Sequence, residues 1–465
     1  MYMVKLLRLS RAFIFNLLFL VYIIQLFISF KQSGLILSIC SLFAFLFSLS
    51  GLQVFYQLII CLSFSISLIV MYLNDMFTWQ ALTYFSGMTN ILVLLTYSSF
   101  FAIPVILGEY PQKIYSFFKT KLTSFKGLYT TFSVVTFIIC SVMAASAIPT
   151  IQTSLSNFLK KLPPSFVNKF QSITFVRPFI MTLFWTPIAA APTIAISGTG
   201  AKASVVLPIT FSLAILLLLL DISTSYFRLR GEVNKEFSVD ESDREHLITK
   251  KEKTSLLYFL LNFLIFIGLI LFISHWFSYS ILDSVIMIII PYSFIWSLTL
   301  KKGAQYFRNL KIRLLVNVPQ VYPQVALFIA ISVLINIIDH SDVSHMINNI
   351  VQIICLSIGP FFLLFISFIV FILTWTGIIP QLVVVLVTQT LNLHFMNVSP
   401  EWLALAILGG ALAGSASSPF TMNANIVAVT INESPMNVVR HNLIFALLIF
   451  FVTSFLAVFL QIYFG

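Results

Sequence analysis

Charge is the scarcest thing in this sequence. Lys, Arg, Asp and Glu make up 9% of its 465 residues, against about 25% in a soluble globular chain. Only 15 residues are acidic, too few to cover a water-facing surface. Cysteine is nearly absent too. Cys40, Cys61, Cys140 and Cys355 all fall in apolar runs, which excludes a disulfide framework, argues against metal ligation and fits small buried hydrophobes. What fills the chain instead is apolar: 59% hydrophobic residues, 49 of them Phe, with a mean hydropathy of +1.03. These values define an all-α polytopic membrane protein. The net charge of +11 is then no nucleic-acid footprint. It is the Lys/Arg excess of loops facing the cytoplasm, and it can orient the chain.

The N-terminus, MYMVKLLRLSRAF, is basic and runs straight into an apolar stretch. A signal peptide would look similar, but Gln25, Lys31 and Gln32 follow without a small-residue cleavage site. Residues 1–34 therefore form a first span that is retained. Further runs of the ~20 residues needed to cross a bilayer follow through to 441–463, for about 11 spans in all. One long hydrophilic segment, 222–254 (containing RLRGEVNKEF and, near its end, ITKKEK), interrupts them as a cytoplasmic linker.

With the N-terminus inside, the positions of Lys and Arg decide the topology. The basic loops 109–127, 158–178, 222–254 and 300–314 all fall on the cytoplasmic side if 128–160 and 360–392 are hairpins that enter and leave by one face. The segments then left outside, 74–84, 274–276, 339–345 and 393–401, contain no Lys or Arg. With two full spans instead, 222–254 lands on the wrong side. Two re-entrant hairpins and an external C-terminus are the expectation, in a multi-pass protein of the cell membrane.

The two hairpins look alike. Ser146-Ala-Ile-Pro149 in the first matches Gly377-Ile-Ile-Pro380 in the second. In the segments that follow, FWTPIAAAPTIAISGTG aligns with GSASSPFTMNANIVAVT, placing Thr186-Pro187 on Ser418-Pro419. The proline spacing is 187 − 149 = 38 in one half and 419 − 380 = 39 in the other. Proline and small residues are common in membrane helices, so the dipeptides alone are weak. Order, spacing and opposite entry sides together predict an inverted repeat. Its first copy is 35–221, with hairpin 128–160 and broken helix 178–203. The second is 255–465, with hairpin 360–392 and broken helix 402–432.

A polar, proline-broken stretch such as GSASSPFTMNAN is tolerated at membrane depth only where it is buried in protein or lines a wet cavity. Broken helices at matching places in two repeats mark the midplane site of a secondary transporter. Half-helix N-termini offer N–H groups and a positive dipole end to an anion, while carbonyls and hydroxyls can ligate sodium. Ser417, Ser418, Asn423 and Asn425 are the candidate ligands, with Thr193, Ser197 and Thr199 as their repeat partners. For the serines, helix packing by small residues is an equal alternative. An amide in hydrocarbon needs partners, which favours ligation for Asn423 and Asn425.

In this organisation the chain resembles the ion transporter superfamily, and within it the divalent anion/sodium symporter group. The resemblance implies a transport domain moving against a dimerising scaffold, a di- or tricarboxylate or related anion as substrate, usually sodium as coupling ion, and a homodimer. Those symporters carry Ser-Asn-Thr at each hairpin tip. Here the tips read Ala145-Ser146-Ala147 and Thr376-Gly377-Ile378. Only Ser146, Thr374 and Thr376 supply side-chain oxygens there, with Ser146 and Asn425 as possible sodium ligands. Protons are the other coupling ion, and monocarboxylates, oxyanions or an amphiphilic substrate remain open.

Other residues have blander explanations. Lys202 is the only cation in a broken helix, and a lysine near a span end more often snorkels to the interface. His340, His345 and His394 with Asp339 and Asp342 could form a metal cluster, though solvated loop residues are the commoner case. Glu401 follows Ser399-Pro400 and reads as a helix start. A lipid-linked glycan enzyme would need poised titratable groups and a large external loop, neither of which is visible. A flippase for an anionic lipid such as a polyprenyl phosphate is the main alternative within transport. No cofactor, catalytic residue or resident metal is expected.

Overall fold

A computed structural model describes residues 2–28, 32–119, 125–159, 164–229, 250–391 and 398–465. Among them every regular element is helical. Eleven segments are long and apolar enough to cross a membrane, with Ser33–Ser48 and Pro380–Thr390 as shorter apolar helices. The protein is thus an all-α polytopic membrane protein. Hydroxyls inside the spans turn back onto the carbonyl four residues earlier, as in Ser48 to Ala44, Ser63 to Ile59 and Thr96 to Leu92. That local bond satisfies a polar group without a partner helix.

The helices form two compact units, each assembled from both halves of the sequence. The first comprises Met1–Ile103, Ser278–Gly359 and Leu386–Asn397. Its long N-terminal helix Tyr2–Phe27 is tied at several levels. Arg11 donates to the Phe47 and Ser50 carbonyls and lies over the Tyr322 ring. Tyr22 donates to Asp283 at 2.6 Å, and Asp283 also joins the Ser280 cap of Ile281–Thr299. The segment 300–314, read above as a basic loop, is largely the helix Gly303–Ile312, which continues through a π turn at Arg313–Asn317. Arg313 there donates to the Ser99 carbonyl at 2.7 Å.

The second unit comprises Pro104–Phe277, Pro360–Val385 and Val398–Gly465. Two helix–turn–helix pairs and two interrupted helices dominate it. Phe125–Met143 turns through Ala144–Ser146 into Ala147–Leu159, and Phe362–Trp375 turns into the helix opening at Pro380. Both turns use positive φ, at Ala144 (51°) and Gly377 (102°). The interrupted helices are Pro164–Thr182 with Ala190–Thr199, and Pro400–Ser417 with Met422–Ile431.

The first of these begins at Pro164, well before the expected 178, so most of the expected loop 158–178 is helix. The linker is also shorter than expected. Ala203–Leu229 runs past residue 222, Lys250–Trp276 starts before 255, and 230–249 lie outside the described residues.

Candidate functional site

Proline removes a backbone donor and clashes with the preceding turn, and each interruption contains one. In the first, Leu183–Ala189, Pro187 follows Thr186; in the second, Ser418–Thr421, Pro419 follows Ser418. From there the two copies correspond residue for residue. Ala190 and Met422 open the short halves (422 − 190 = 232), and each short half is ten residues long. Each ends on a left-handed residue at the same offset, Gly200 (φ 69°) and Asn432 (φ 55°). The next amide closes the same bond in both, Ala201 to the Ile196 carbonyl and Glu433 to the Ala428 carbonyl. This is the Schellman ending, which needs glycine or asparagine at the left-handed position. The following spans open at Ala203 and Pro435, again 435 − 203 = 232.

The side chains that hold the breaks match too. Thr193 Oγ1 donates to the carbonyls of Pro187 (3.0 Å) and Ala189 (2.8 Å). At the equivalent position, Asn425 Nδ2 donates to the carbonyls of Pro419 (3.2 Å) and Thr421 (2.8 Å). In the second break Thr421 Oγ1 also reaches the Ser415 and Ser418 carbonyls, and the Phe420 amide donates to Ser418 Oγ. Asn423 Nδ2 donates to Ser415 Oγ at 2.8 Å. Both short halves begin without a side-chain cap, so their first-turn N–H groups are left to other partners.

The broken helices cross-pack. Ala190–Thr199 lies on Pro400–Ser417, and Met422–Ile431 lies on Pro164–Thr182 and on Ala147–Leu159. The turns of the helix pairs reach the breaks. Thr186 Oγ1 donates to the Ser141 carbonyl at 3.0 Å. At Gly377 a Cβ would sit 2.7 Å from Phe420 Cβ, so only glycine allows that approach. Pro400–Ser417 is gripped by its small residues. A Cβ on Gly410 would lie 2.2 Å from the Ser367 carbonyl oxygen, one on Gly409 2.0 Å from Thr453 Oγ1, and one on Gly414 2.7 Å from the Phe371 oxygen. This is the close backbone approach that small residues permit between membrane helices.

The expected ligands are distributed unevenly. Ser418, Asn423 and Asn425 cluster at the second break, and Thr193 braces the first. Ser417 and Thr199 are buried and donate back into their own helices. Ser146 and Thr376 sit exposed at the two turns, donating to Met143 and Leu373. Thr374 is fully buried beside Gly414, and its hydroxyl, like that of Ser197, has no hydrogen-bond partner among the described residues. Orphaned buried hydroxyls are rare and each costs about 1–3 kcal/mol, so both mark places where a ligand or water would be favoured. The backbone amide of Lys202 donates weakly to Glu401 in the first turn of Pro400–Ser417. Among the described residues no group of His, Cys, Asp or Glu could hold a metal, and His394 lies outside them.

A second polar centre was not anticipated from sequence. Arg177, 6% exposed, pairs with Asp221 at 2.6 Å. It also donates to Ser225 (2.9 Å), Asn442 Oδ1 (3.1 Å) and the His441 carbonyl (2.9 Å). Tyr129 donates to the other Asp221 oxygen at 2.7 Å. A buried charge is stable only when paired and hydrogen-bonded like this. Nearer the helix ends, Glu433 accepts from Asn437 (2.7 Å), Asn168 (2.9 Å) and the Ser434 amide. Those bonds, Asn437 first, hold its carboxyl below the usual value.

The fold is shared with a membrane transporter. The chain is similar to the crystal structure of the YdaH transporter of Alcanivorax borkumensis, with a TM-score of 0.55 over 88% of this chain and 98% of that one, at 12% identity. No family model and no curated protein matches the sequence. The likeness extends to the transporter fold and not to the divalent anion/sodium symporter group.

Proposed function

We propose that the protein is a secondary active transporter that moves a small anionic, carboxylate-type solute across the cell membrane, driven by a sodium or proton gradient. The observation that carries this is the pair of breaks matched at one offset of 232 residues, Thr193 against Asn425 and Gly200 against Asn432. The uncapped start of Met422–Ile431 can hold a carboxylate through N–H groups without a cation. The carbonyls and hydroxyls around Ser418, Thr421 and Asn425 suit a hard coupling cation. Ser146, Thr374, Thr376, Ser197, Thr199, Ser417 and Asn423 complete the proposed lining. The two helix–turn–helix pairs act as re-entrant hairpins from opposite faces, with the N-terminus cytoplasmic and the C-terminus external. Elevator-type movement of the second unit fits the way that unit gathers turns and breaks from both halves. Homodimerisation through the first unit is part of the same proposal.

A lipid-type substrate is the second reading. It is favoured by the exposed apolar side chains Phe420 (69%), Met422 (67%) and Val429 (83%) along the second break, which would suit an acyl or prenyl tail.

Proteoliposomes loaded without substrate test both. Uptake of a labelled mono- or dicarboxylate that needs an inward sodium or proton gradient, and that Asn425→Ala reduces, is the expected result. If no carboxylate or oxyanion enters under either gradient while a labelled polyprenyl phosphate changes leaflet, the solute reading fails.

A further inference from the structure

In the first unit an apolar groove runs between the N-terminal helix and an irregular turn. Gly303–Ile312 passes into the π turn Arg313–Asn317, where the Val318 amide bonds the Arg313 carbonyl. π turns are rare and recur at functional places. This one leaves carbonyls to be claimed from outside, and Tyr2–Phe27 claims two of them. Asn16 Nδ2 donates to the Leu314 carbonyl at 3.0 Å, and Arg8 to the Val316 carbonyl at 3.2 Å. Those bonds hold the turn against the N-terminal helix, so the groove's two walls are fixed to each other before anything enters.

The groove has a volume of about 860 Å³, toward the upper end of the roughly 300–1,000 Å³ of small-ligand sites. Leu9, Phe13, Leu17 and Leu20 form one wall, at the spacing of a single helix face; Phe307 and Leu314 stand on the other. Leu314 excepted, all of these are exposed. The lining has two polar side chains. Asn16 has its donors taken by the Ala12 and Leu314 carbonyls. The other is Lys311, which is exposed and has no hydrogen-bond or ion-pair partner among the described residues. Arg308, three residues earlier and so a neighbour on the helix surface, is equally exposed and unpartnered among them, and lines a cavity of about 380 Å³ with Gln305 and Asn309.

A hydrocarbon chain matches the groove, and an anion matches the two cations at its side. A neutral lipid would fill the groove and leave the cations unanswered; a soluble anion would do the reverse. Basic residues on an amphipathic helix recognise anionic headgroups in this way, and phosphate oxygens accept from arginine and lysine together. We propose that the groove binds an anionic phospholipid, its phosphate at Arg308 and Lys311 and an acyl chain between Tyr2–Phe27 and residues 307–315. Bound there, the lipid adds a second link between the π turn and the N-terminal helix. The groove belongs wholly to the first unit, so its occupant is independent of the solute carried.

The probes are dioctanoyl phosphatidylglycerol, dioctanoyl phosphatidylcholine and sodium phosphate, added to the purified full-length protein in neutral detergent while tryptophan fluorescence follows unfolding. Phosphatidylglycerol should raise Tm in a dose-dependent, salt-sensitive way, with no comparable shift from phosphatidylcholine or sodium phosphate. Arg308→Gln with Lys311→Gln should raise the half-effective phosphatidylglycerol concentration at least about tenfold and leave the lipid-free Tm near wild type. Leu17→Trp, which fills the groove and keeps both charges, should weaken the lipid effect to a similar extent. No phosphatidylglycerol shift, a shift that survives either variant, or an equal shift from phosphatidylcholine or sodium phosphate overturns the proposal. So does a Tm that rises with protein concentration and not with phosphatidylglycerol, which would assign the groove to a second copy of the chain.

Discussion

Asp221→Asn is the most informative single change in the second unit. Asp221 is 3% exposed and accepts from Arg177, Ser225 and Tyr129. Replacing the carboxylate with an amide keeps the shape but removes the countercharge, leaving Arg177 buried and unpaired. Breaking a buried pair from one side costs about 3–5 kcal/mol, because the remaining ion keeps its desolvation penalty. Tyr129→Phe removes one bond to the same carboxylate and should cost less, about 1.5–3 kcal/mol. The decisive comparison is Arg177→Met combined with Asp221→Leu. It removes both charges, so it should be less destabilised than Asp221→Asn alone, although Asn442 and the His441 carbonyl lose their donor. Reversible urea unfolding in mixed micelles would give the three values. If Asp221→Asn matched wild type within about 0.5 kcal/mol, or if the double variant were worse than both singles, Arg177 would not depend on this pair.

Gly410→Ala should destabilise by about 1–3 kcal/mol, since its Cβ meets the Ser367 carbonyl oxygen rather than a flexible side chain; thermal melts of the purified variant check this. Asn425→Ala and Thr193→Val each remove two bonds bracing a break, so each should cost about 1–2 kcal/mol and lower substrate affinity in a binding titration. Asn432→Gly should be tolerated while Asn432→Val should lose about 1–2 kcal/mol in urea unfolding, because φ is 55° there. Glu433 has a folded-state pKa below its ordinary value. Its contribution is therefore complete above the normal carboxylate range and fades as pH falls through the lowered value. Wild type should lose more stability on acidification than Glu433→Gln, measured as Tm against pH.

The breaks were legible because their cause is local. Pro187 and Pro419 each remove a donor whatever surrounds them, and the two stretches align by eye. The choice of Thr193 and Asn425 as counterparts also came from sequence alone, though not what their side chains do. Both point back to carbonyls of their own break, a geometry set by the turn after each proline. Ser417 and Thr199 look equivalent to Ser418 and Thr193 on paper, but a helical hydroxyl defaults to the carbonyl a turn behind it. Arg177 was harder to place. A lone arginine between Val176 and Pro178 reads as a loop or interface residue until Asp221 and Tyr129, distant in sequence, neutralise and hydrogen-bond it. The helical character of 303–312 was hidden for the same reason, since charge density signals exposure to solvent and says little about backbone conformation.

The glycine-lined helix Pro400–Ser417 has a consequence for how the protein is made. Every residue from Trp402 to Ser417 is buried, and Gly, Ala and Ser fill much of it, so little of its surface attracts lipid for its own sake. A nascent segment of this kind gains less from leaving the translocon alone than a Leu- and Phe-rich span does. Phe362–Trp375 on one side and Pro435–Phe464 on the other supply the greasy exteriors it lacks. Biogenesis would therefore hold this segment back until Pro435–Phe464 has emerged, and ribosome-stalled chains ending before residue 435 should leave it accessible to aqueous labelling.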